Sequence, residues 1–493
     1  MWIVHSWNST YSNEIYNTMK NILFSFTLII SLLFAWSCKK EETLRFVVPS
    51  KGIVVAVPGG SGSTSFEEYN ISSVVPTSVP KGWSVTNIDM YSNTITVTAP
   101  ATFDDGEQER GTLTLQGVTP IGTTVSLSIN VALITEEVDY SDASANCYVA
   151  SKPLTRYIFD PMVGGCATPL ETAYVKLLWQ SSENLVKYLD MCDGKVVFYL
   201  DATDKDKSLL KPGNALVGAY NSSNELIWSW HLWMTNNDPT ASENTITLGG
   251  MEVMNINLGA KCNSNGSTDG QTIFDSFGTY YQWGRKEPFL GPKDYTFPSN
   301  SDNAMYNYNG KYIYYEYVAS NATNGNVSWA VRNPLALIKG NKDNGYDWLN
   351  EGHDDNLWSA TSKTESDPCP AGWRVADASV FEGLAIATAN DEMDWKEAQA
   401  RYGLMLVDGA TSTEYFFTAQ GRRNYLDCRL DIINDNPSLP VPWAGYYWTA
   451  TVDGDDASAL WFDLTTPTRA NNVIDTKRAM HRANALPVRC VRL

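Results

Sequence analysis

The stretch LIWSWHLWM, residues 226–234, decides how the middle of this chain folds, because it fits a β-strand with bulky side chains on both faces. Successive side chains of a strand point in opposite directions. The two faces carry Trp228, Trp230 and Leu232 on one side and Ile227, Ser229, His231 and Trp233 on the other. Such a pattern is typical of a strand in a sheet that is covered on both sides.

Residues 140–250 around this stretch are predicted to form a β-rich unit. The polar tetrad NSSN, residues 221–224, separates LIWSWHLWM from the apolar run GNALVGAY, residues 213–220, which predicts a hairpin. Further strand candidates, separated by turns, are YVKLLWQ (174–180), GKVVFYLDA (194–202) and TITLGG (245–250).

Residues 44–136 are predicted to form an all-β module. Apolar and polar residues alternate in NTITVTAP (93–100) and TVSLSINVAL (124–133), which indicates half-buried strands. PKGWSV (80–85) followed by NTITVTAP resembles the small immunoglobulin-like β-sandwich modules that Bacteroidetes lipoproteins place after their anchor. The resemblance implies that this module is a stalk.

Residues 251–493 predict a third part, a smaller α+β domain with Gly- and Asn-rich loops and a β-rich end. Its helix candidate lies in GWRVADASVFEGLAIA, residues 372–387, where either Asp377 or Ser379 can act as the N-cap. The apolar stripe of this helix would be Val380, Phe381 and Leu384. The predicted fold class is therefore mainly β, with an α+β C-terminal head.

The N-terminus predicts export and lipid anchoring. From Met19, a basic residue precedes an apolar run over residues 22–35, which is shorter than the ~20 residues of a membrane span but typical of a signal peptide. Ser37-Cys38 at its end resembles the lipobox of bacterial lipoproteins, in which the cysteine is acylated and becomes the new N-terminus. The alternative is an uncleaved anchor with an incidental cysteine.

The predicted signal peptide also determines how the residues before and after it are interpreted. Residues 1–18 have no role in a signal over 19–37 and are interpreted as an over-extended gene start. Residues 38–43 form a tether, and its KKEE run resembles the surface-export signal of Bacteroidetes lipoproteins, although a solvated charged tether is the alternative. We therefore expect a surface-exposed protein held in outer-membrane lipid by acylated Cys38.

Composition narrows the classes of partner. The formal net charge of −19 argues against binding a nucleic-acid backbone or docking electrostatically on anionic lipid. Hydrophobic residues make up 43% of the chain and charged residues 18%, as in a globular protein. With 17 Trp and 26 Tyr against 4 His, the chain suits β-structure and stacking better than histidine chemistry.

Several motifs, in this order, resemble those of a group of Bacteroidetes surface lipoproteins. They are SANCYVAS (144–151), GNALVGAY (213–220), LIWSWHLW (226–233), MNINLGA (254–260), YYQWGRKEPF (280–289), DPCPAGWRV (367–375), GYYWTAT (445–451) and VRCVRL (488–493). The last four are similar to the Fibrobacter succinogenes major paralogous domain, which is distantly related to the C-type-lectin-like fold. The resemblance covers residues 140–493 and implies a lectin-like head over 251–493.

The same resemblance makes WSWHLW a framework element. It implies core packing for Trp228, Trp230, His231 and Trp233, with a stacking patch on an exposed edge as the alternative. A metal role for His231 is weak, because no Cys, His or Glu partner is spaced near it.

The sequence contains none of the catalytic motifs that we sought. It lacks G-x-S-x-G, H-E-x-x-H, the phosphate-binding G-x-x-x-x-G-K and a dinucleotide fingerprint. Acidic pairs such as HDDN (353–356) are expected to be solvated loops in a chain with 55 acidic residues. We therefore expect no enzymatic activity and no organic cofactor.

Calcium is the one metal for which the sequence offers candidates. Oxygen-rich turns suit this hard cation, although neither turn has the ligand order of an EF-hand. The first turn offers Asp201, Asp204 and Asp206, and the second offers Asp453, Asp455 and Asp456. Plain solvated turns are the alternative.

Two further candidates come from the family motifs. In YYQWGRKEPF, aromatic faces lie beside donors, which suits a polar ligand, although the family match also implies framework. The candidate ligand contacts are Tyr280, Tyr281, Trp283 and Arg285. Among the seven cysteines after Cys38, we expect Cys369 and Cys490 to be disulfide-bonded, since both lie in framework motifs; two buried thiols are the alternative.

Two functions fit these observations. The first is a non-enzymatic surface lipoprotein for adhesion or for binding a ligand, an extracellular glycan or protein. The second is a structural or accessory subunit of a surface appendage such as a fimbria. Exposed aromatic side chains on the head would favour glycan binding, whereas an open edge strand would favour assembly.

Overall fold

The computed structural model describes residues 44–48, 53–102, 106–203, 205–292, 304–387, 395–431, 444–464 and 474–493. These residues are mainly β, as the sequence predicts, and they belong to two compact units, Met1–Leu133 and Ile134–Leu493. The predicted gene start, signal peptide, tether and Cys38 lie outside the described residues. None of the helices in these ranges is long and apolar enough to span a bilayer.

The first unit is a β-sandwich. Its described strands are β1 (Arg45–Val47), β2 (Ile53–Ala56), β3 (Ser61–Ser65), β4 (Glu67–Tyr69), β5 (Ser73–Ser78), β6 (Ser84–Asp89), β7 (Thr94–Thr98), β8 (Arg110–Val118) and β9 (Thr124–Leu133). A four-stranded sheet has the order β2-β9-β8-β5, and a three-stranded sheet has the order β3-β7-β6. The alternation predicted for β7 and β9 is confirmed, since Ile95, Val97, Ile129 and Val131 are all buried.

The second unit contains the remaining elements. Its described strands are β10 (Glu136–Asp139), β11 (Cys147–Ala150), β12 (Thr155–Phe159), β13 (Met162–Val163), β14 (Thr168–Pro169), β15 (Tyr174–Gln180), β16 (Tyr188–Cys192), β17 (Lys195–Leu200), β18 (Gly213–Tyr220), β19 (Leu226–Met234), β20 (Thr245–Leu248), β21 (Met251–Met254), β22 (Tyr281–Gln282), β23 (Met305–Tyr306), β24 (Tyr312–Ile313), β25 (Glu316–Ala319), β26 (Ala336–Lys339), β27 (Trp373–Val375), β28 (Leu384–Ile386), β29 (Gly403–Asp408), β30 (Glu414–Thr418), β31 (Arg422–Arg423), β32 (Leu430–Asp431), β33 (Ala444–Asp453), β34 (Asp456–Asp463), β35 (Ile474–Met480), β36 (Ala485–Leu486) and β37 (Cys490–Arg492). The helices are α1 (Gly270–Asp275), α2 (Val327–Arg332), α3 (Ala378–Phe381) and α4 (Trp395–Arg401), with 3-10 turns at Ser242–Asn244 and Lys342–Asn344.

Strand β19, which contains the WSWHLW stretch, lies inside a six-stranded sheet of order β11-β19-β18-β15-β23-β24. It pairs antiparallel with β18 through the predicted hairpin and parallel with β11. On one face, Trp230 lies 5.2 Å from the ring of Phe159, in the core shared with the sheet β10-β12-β17-β16. On the other face, Trp233 packs into a second core. The strand is therefore covered on both sides, as predicted.

The predicted boundary between residues 250 and 251 does not divide the structure. β15 pairs with β23 in the six-stranded sheet, and β20 lies in the sheet β20-β21-β37-β27, so both sheets combine strands from the two sides of this boundary. The reason is physical: a sheet that is apolar on both faces needs a second cover, and residues after 250 supply it. Residues 134–493 form one compact unit instead.

The α+β description of the C-terminal part is not confirmed, because strands dominate it and its described helices have four to seven residues. The helix predicted over 372–387 is the single turn α3. Asp377 is its N-cap, accepting a hydrogen bond from the backbone N of Ser379 at 3.0 Å. Leu384 belongs to β28, which pairs with β29, so the chain leaves the helix before the predicted stripe is complete.

Cys369 and Cys490 form a disulfide, as expected, across a sequence separation of 121 residues. Cys490 begins β37, which pairs with β27, so the bond ties the C-terminal strand to the centre of the unit. The other cysteines in the described ranges are free thiols: Cys147, Cys166, Cys192, Cys262 and Cys428.

Candidate functional site

The predicted ligand stretch 280–285 lies inside the protein. The exposed fractions are 0% for Tyr280, Tyr281 and Trp283 and 2% for Arg285. A ligand cannot contact these side chains in the folded structure, so this site prediction is wrong. The resemblance described above implied framework for the same residues, and framework is what they form.

Most polar atoms of this stretch have hydrogen-bond partners in the protein, whereas Nη2 of Arg285 is buried without one among the described residues. The hydroxyl of Tyr280 donates to the carbonyl of Gln420 at 2.5 Å, and Nε1 of Trp283 donates to the carbonyl of Thr449 at 2.9 Å. Nη1 of Arg285 donates to the carbonyl of Ala336 at 2.8 Å. Buried polar groups need such partners.

A buried charge cluster continues the stretch. Glu287 Oε2 lies 3.1 Å from Arg285 Nε, and Glu287 Oε1 lies 3.0 Å from Lys286 Nζ. Burial alone would raise the pKa of Glu287, but the two cations outweigh it and the pKa is lowered. Lys286 also donates to the hydroxyl of Ser229 on β19 at 2.7 Å. The cluster thus joins the 280–287 stretch to the six-stranded sheet.

His231 is a neutral core residue. Its Nε2 lies 2.8 Å from Oδ1 of Asn214, and its Nδ1 lies 3.3 Å from the hydroxyl of Tyr281. Burial lowers the pKa of the imidazole to about 3. The exposed fraction is 1% for His231 and 0% for Trp230 and Trp233. Core packing of WSWHLW is therefore confirmed.

In the second candidate calcium turn, two of the three carboxylates pair with histidines. Asp455 Oδ1 lies 3.2 Å from Nε2 of His353, and Asp456 Oδ1 lies 2.7 Å from Nδ1 of His481. Asp453 faces Asp456 across the turn between β33 and β34. These carboxylates have separate partners and do not converge on one point.

The first calcium loop is only partly described, because Asp204 lies outside the described residues. Asp201 pairs with Lys187 at 3.9 Å, and Asp206 Oδ1 accepts hydrogen bonds from the backbone N and the hydroxyl of Ser208 at 2.9 and 2.6 Å. In the part of the chain that the structure describes, no group of three or more His, Cys, Asp or Glu residues is arranged to hold a metal ion. The calcium candidates therefore gain no support.

A polar cleft of about 510 Å³ opens near α3 and contains two carboxylates, Asp355 and Asp377. Asp377 accepts a hydrogen bond from Thr451 Oγ1 at 2.7 Å in addition to capping α3. Asp355 pairs with Nη2 of Arg482 at 2.6 Å. Both carboxylates thus serve contacts within the protein, which favours a structural role for them.

A different pair of cavities has the properties of a binding site. They measure about 220 and 200 Å³ and share Asn255, Asn263 and Asn265 in their walls. We call the two together the asparagine cleft. Further walls are formed by Asn237, Asn244, Glu414, Tyr415, Phe416 and Arg489.

Distant parts of the chain form this cleft. Asn255 follows β21 and Arg489 precedes β37, and these two strands are neighbours in one sheet. Asn263 and Asn265 lie in the loop before α1, whereas Glu414 begins β30. The cleft exists only once these elements have packed.

One asparagine shapes the cleft and others remain unpaired. Asn263 donates from Nδ2 to the carbonyl of Asn255 at 2.9 Å and accepts at Oδ1 from the backbone N of Asn265 at 2.9 Å. Asn265 has φ +46°, a conformation that asparagine tolerates. Within the described ranges, the side-chain amides of Asn237, Asn255 and Asn265 form no hydrogen bond. Each amide offers both donors and an acceptor to a ligand.

Arg489 places a buried cation at the wall of the cleft. Its exposed fraction is 3%, and burial lowers the pKa of its guanidinium. Nε donates to Oδ1 of Asn257 at 3.2 Å, and the guanidinium carbon lies 4.2 Å from the ring centroid of Phe417. No carboxylate of the described residues lies within ion-pair distance of it. The cleft therefore combines this cation, which has no ion-pair partner among the described residues, with the carboxylate of Glu414 in the same wall.

Sequence reasoning missed this site. The segment MNINLGAKCNSNGS, residues 254–267, carries a visible density of asparagines, and its Gly- and Asn-rich character was noted only as a loop property. Arg489 lies within the VRCVRL motif more than 200 residues further along, and no spacing rule connects the two segments.

Comparisons with known proteins do not assign a family. No family model matches the chain, and no curated protein matches it. The solved structures with some likeness include the Bacteroides ovatus mixed-linkage glucan utilization locus SGBP-B in complex with a mixed-linkage heptasaccharide. The identity to it is 12%, over 37% of this chain and 42% of that chain, with a TM-score of 0.12.

Two other solved structures give similar values. The D00-D0 domain of intimin is 13% identical over 38% of this chain and 96% of that chain, with a TM-score of 0.16. Mouse clustered PcdhgC3 EC1-3 is 12% identical over 39% of this chain and 68% of that chain, with a TM-score of 0.15. At TM-scores of this size, none of these likenesses bears on the function of this chain.

Proposed function

We propose that the chain is a Bacteroidetes surface lipoprotein that binds an extracellular glycan without chemical turnover. The asparagine cleft is the observation that carries this proposal. The unpaired amides of Asn255 and Asn265 match the mixed donors and acceptors of sugar hydroxyls. Tyr415 and Phe416 add apolar surface, which suits the C–H faces of a sugar ring. We keep the Fibrobacter succinogenes major paralogous domain as the proposed family of the C-terminal part.

We propose binding without hydrolysis because of the carboxylates that line the two clefts. A glycosidase needs two carboxylates placed on either side of the scissile bond. Glu414 is the carboxylate that we identify in the walls of the asparagine cleft. Asp355 and Asp377 in the larger cleft are engaged by Arg482, Ser379 and Thr451. Binding therefore fits these sites better than hydrolysis.

A glycan array probed with the full chain in detergent tests the ligand class. Hits are then titrated by calorimetry against the double variant Asn255→Ala, Asn265→Ala. We expect it to bind about tenfold more weakly, because each lost hydrogen bond contributes about 0.5–1.5 kcal/mol. The matched control is Asn87→Ala, an exposed asparagine of the first unit, which should bind like the wild type. No array hit, unchanged affinity of a folded double variant, or turnover of a bound glycan would each contradict the proposal.

The anchor is tested separately, because it depends on Cys38 alone. Wild-type protein should partition with outer membranes and be cleaved by protease added to intact cells. Cys38→Ala should be released or remain unprocessed, whereas Cys166→Ala, an exposed free thiol, should behave like the wild type. Equal membrane retention of Cys38→Ala would refute lipid anchoring and leave the glycan proposal standing.

One observation favours the second function, a structural or accessory subunit of a surface appendage. The hairpin of β23 and β24 exposes Tyr308, Tyr312 and Tyr314, by 54%, 60% and 79%. Tyrosine is enriched in protein interfaces because it combines apolar area with a polar tip. The edge strand β24 has two residues, so contact would be made by side chains more than by strand addition.

The two functions are separable by one triple variant. Replacing Tyr308, Tyr312 and Tyr314 by serine should abolish co-purification with a surface appendage if the hairpin is an assembly contact. The same variant should leave glycan binding at the asparagine cleft unchanged. Loss of glycan binding with retained folding would instead place the glycan on the hairpin.

A further inference from the structure

We infer that the asparagine cleft selects glycans that carry a carboxylate, with Arg489 as the group that recognises the acid. This inference rests on the proposed glycan binding and names the class of sugar, a uronate or a sialate. The deciding feature is a buried guanidinium that has no anionic partner among the described residues.

Two other deeply buried arginines each have a carboxylate partner. Arg285, 2% exposed, pairs with Glu287, and Arg482, 1% exposed, pairs with Asp355. Arg489 is buried to the same degree, yet its described contacts are the amide of Asn257 and the faces of Phe417 and Tyr447. A buried charge is costly unless an opposite charge or hydrogen bonds compensate it. Among the described residues no anion supplies this compensation, and an anionic ligand in the cleft would supply it.

The donors of Arg489 are available for this purpose. Nε donates to Asn257, whereas Nη1 and Nη2 form no hydrogen bond with the described residues. The residue lines the cavity of about 220 Å³ together with Asn255, Asn263 and Asn265. A guanidinium with two free terminal nitrogens matches the two oxygens of a carboxylate in a bidentate pair.

The other walls fit a sugar acid better than an isolated anion. Glu414 lines the same cavity and forms no ion pair with Arg489 or any other described residue, so its carboxylate can accept hydrogen bonds from sugar hydroxyls. A ligand that presented only negative charge would be repelled by Glu414. A sugar acid carries one carboxylate and several hydroxyls on one ring. The carboxylate would meet the cation of the cleft, and the hydroxyls would meet its carboxylate and its amides. Each cavity is smaller than the ~300 Å³ of a typical drug-sized site, so it has room for one sugar unit.

Calorimetry with two matched probes tests this assignment on the full chain. The probes are trigalacturonate and the neutral trigalactose of the same linkage, which differ at the carboxylate. We expect the wild type to prefer the uronate at least tenfold, and we expect added salt to reduce this preference. Arg489→Met keeps an unbranched apolar stem against Phe417 and should bind both probes equally. Arg429→Met, which removes an exposed cation elsewhere, should keep the preference.

A second variant keeps the test decisive if Arg489→Met does not fold. Glu414→Gln removes the negative charge from the wall and retains the shape of the side chain. It should tighten binding of trigalacturonate severalfold and leave binding of trigalactose unchanged. Equal effects on the two probes would overturn the inference.

The remaining outcomes separate this inference from the proposed function. Array binding of neutral glycans alone would overturn the carboxylate assignment but support a glycan-binding protein. Preference for galactose 6-sulfate over the uronate, or for a peptide with a free C-terminus over its amide and over every sugar, would also overturn it. The absence of any glycan binding would overturn both proposals together.

Discussion

The hydroxyl of Tyr281 lies 3.3 Å from Nδ1 of His231, and this contact joins the two stretches that the sequence had offered as separate functional candidates. Nε2 of the same imidazole lies 2.8 Å from Oδ1 of Asn214. The tautomer that fits has the proton on Nε2, so that Nδ1 accepts from Tyr281. A second proton would remove that acceptor, which is why His231 is built into the core in its neutral form.

Acid should therefore destabilise the protein through His231. Burial lowers the pKa of this imidazole to about 3, whereas in the unfolded chain the pKa is near the ordinary histidine value of 6.5. Below pH 6.5 the histidine is protonated in the unfolded state but stays neutral in the folded state. The contribution of His231 to the unfolding free energy is therefore fully present above pH 6.5 and is lost as the pH falls toward 3. The expected loss is up to about 1.4 kcal/mol of unfolding free energy per pH unit.

Urea unfolding between about pH 7 and pH 4 measures this effect. The difference in unfolding free energy between wild type and His231→Gln should shrink as the pH falls, because glutamine does not titrate. Ser229→Ala, on the same strand and also without a titrating group, should differ from wild type by a constant amount. A constant difference for His231→Gln as well would show that the histidine is not the cause.

Trp283→Ala should affect stability before it affects any ligand. The indole is fully buried and donates a hydrogen bond to the carbonyl of Thr449. Its ring centroid lies 4.6 Å from the guanidinium carbon of Arg482. Removing it should lower the unfolding free energy by about 3–5 kcal/mol. Denaturant unfolding followed by circular dichroism measures the loss, and Tyr314→Ala, an exposed aromatic, should stay within about 0.5 kcal/mol of wild type. A fully stable Trp283→Ala protein would refute its core role.

The disulfide should be a large single contribution to stability. Closing a loop over a separation of 121 residues restricts the unfolded chain, and the chain-entropy model gives about 5 kcal/mol for this length. The double variant Cys369→Ala, Cys490→Ala should unfold at correspondingly lower urea concentration. Cys166→Ala, an exposed thiol, is the matched control and should unfold like the wild type. Peptide mapping without reduction that found both cysteines as thiols would contradict the bond itself.

Calcium should not stabilise the loop of Asp455 and Asp456, because His353 and His481 already occupy these carboxylates. Thermal unfolding of the protein should therefore give the same Tm in calcium and in a chelator. A calcium-dependent rise in Tm that disappears in Asp455→Asn would contradict this expectation. A rise that survives in Asp455→Asn and disappears in Asp204→Asn would place an ion at the first loop.

Local pattern alone determined the strands, and the family resemblance added one long-range bond. The alternation in β9, the polar tetrad before β19 and the doubly apolar β19 are properties of neighbouring residues, and strand geometry translates them directly into faces and turns. The pairing of Cys369 with Cys490 came from the family motifs that contain them, and the structure has it.

Tertiary structure alone decided which side chains are covered and which charges meet. Tyr280 and Trp283 lie in a stretch whose composition suits a ligand site and a core equally, and only the sheets packed around it bury them. The asparagine cleft depends on Arg489 reaching Asn255 through the neighbouring strands β21 and β37, which are more than 200 residues apart in sequence. Burial and long-range charge pairing are sums over distant segments, so no local pattern encodes them.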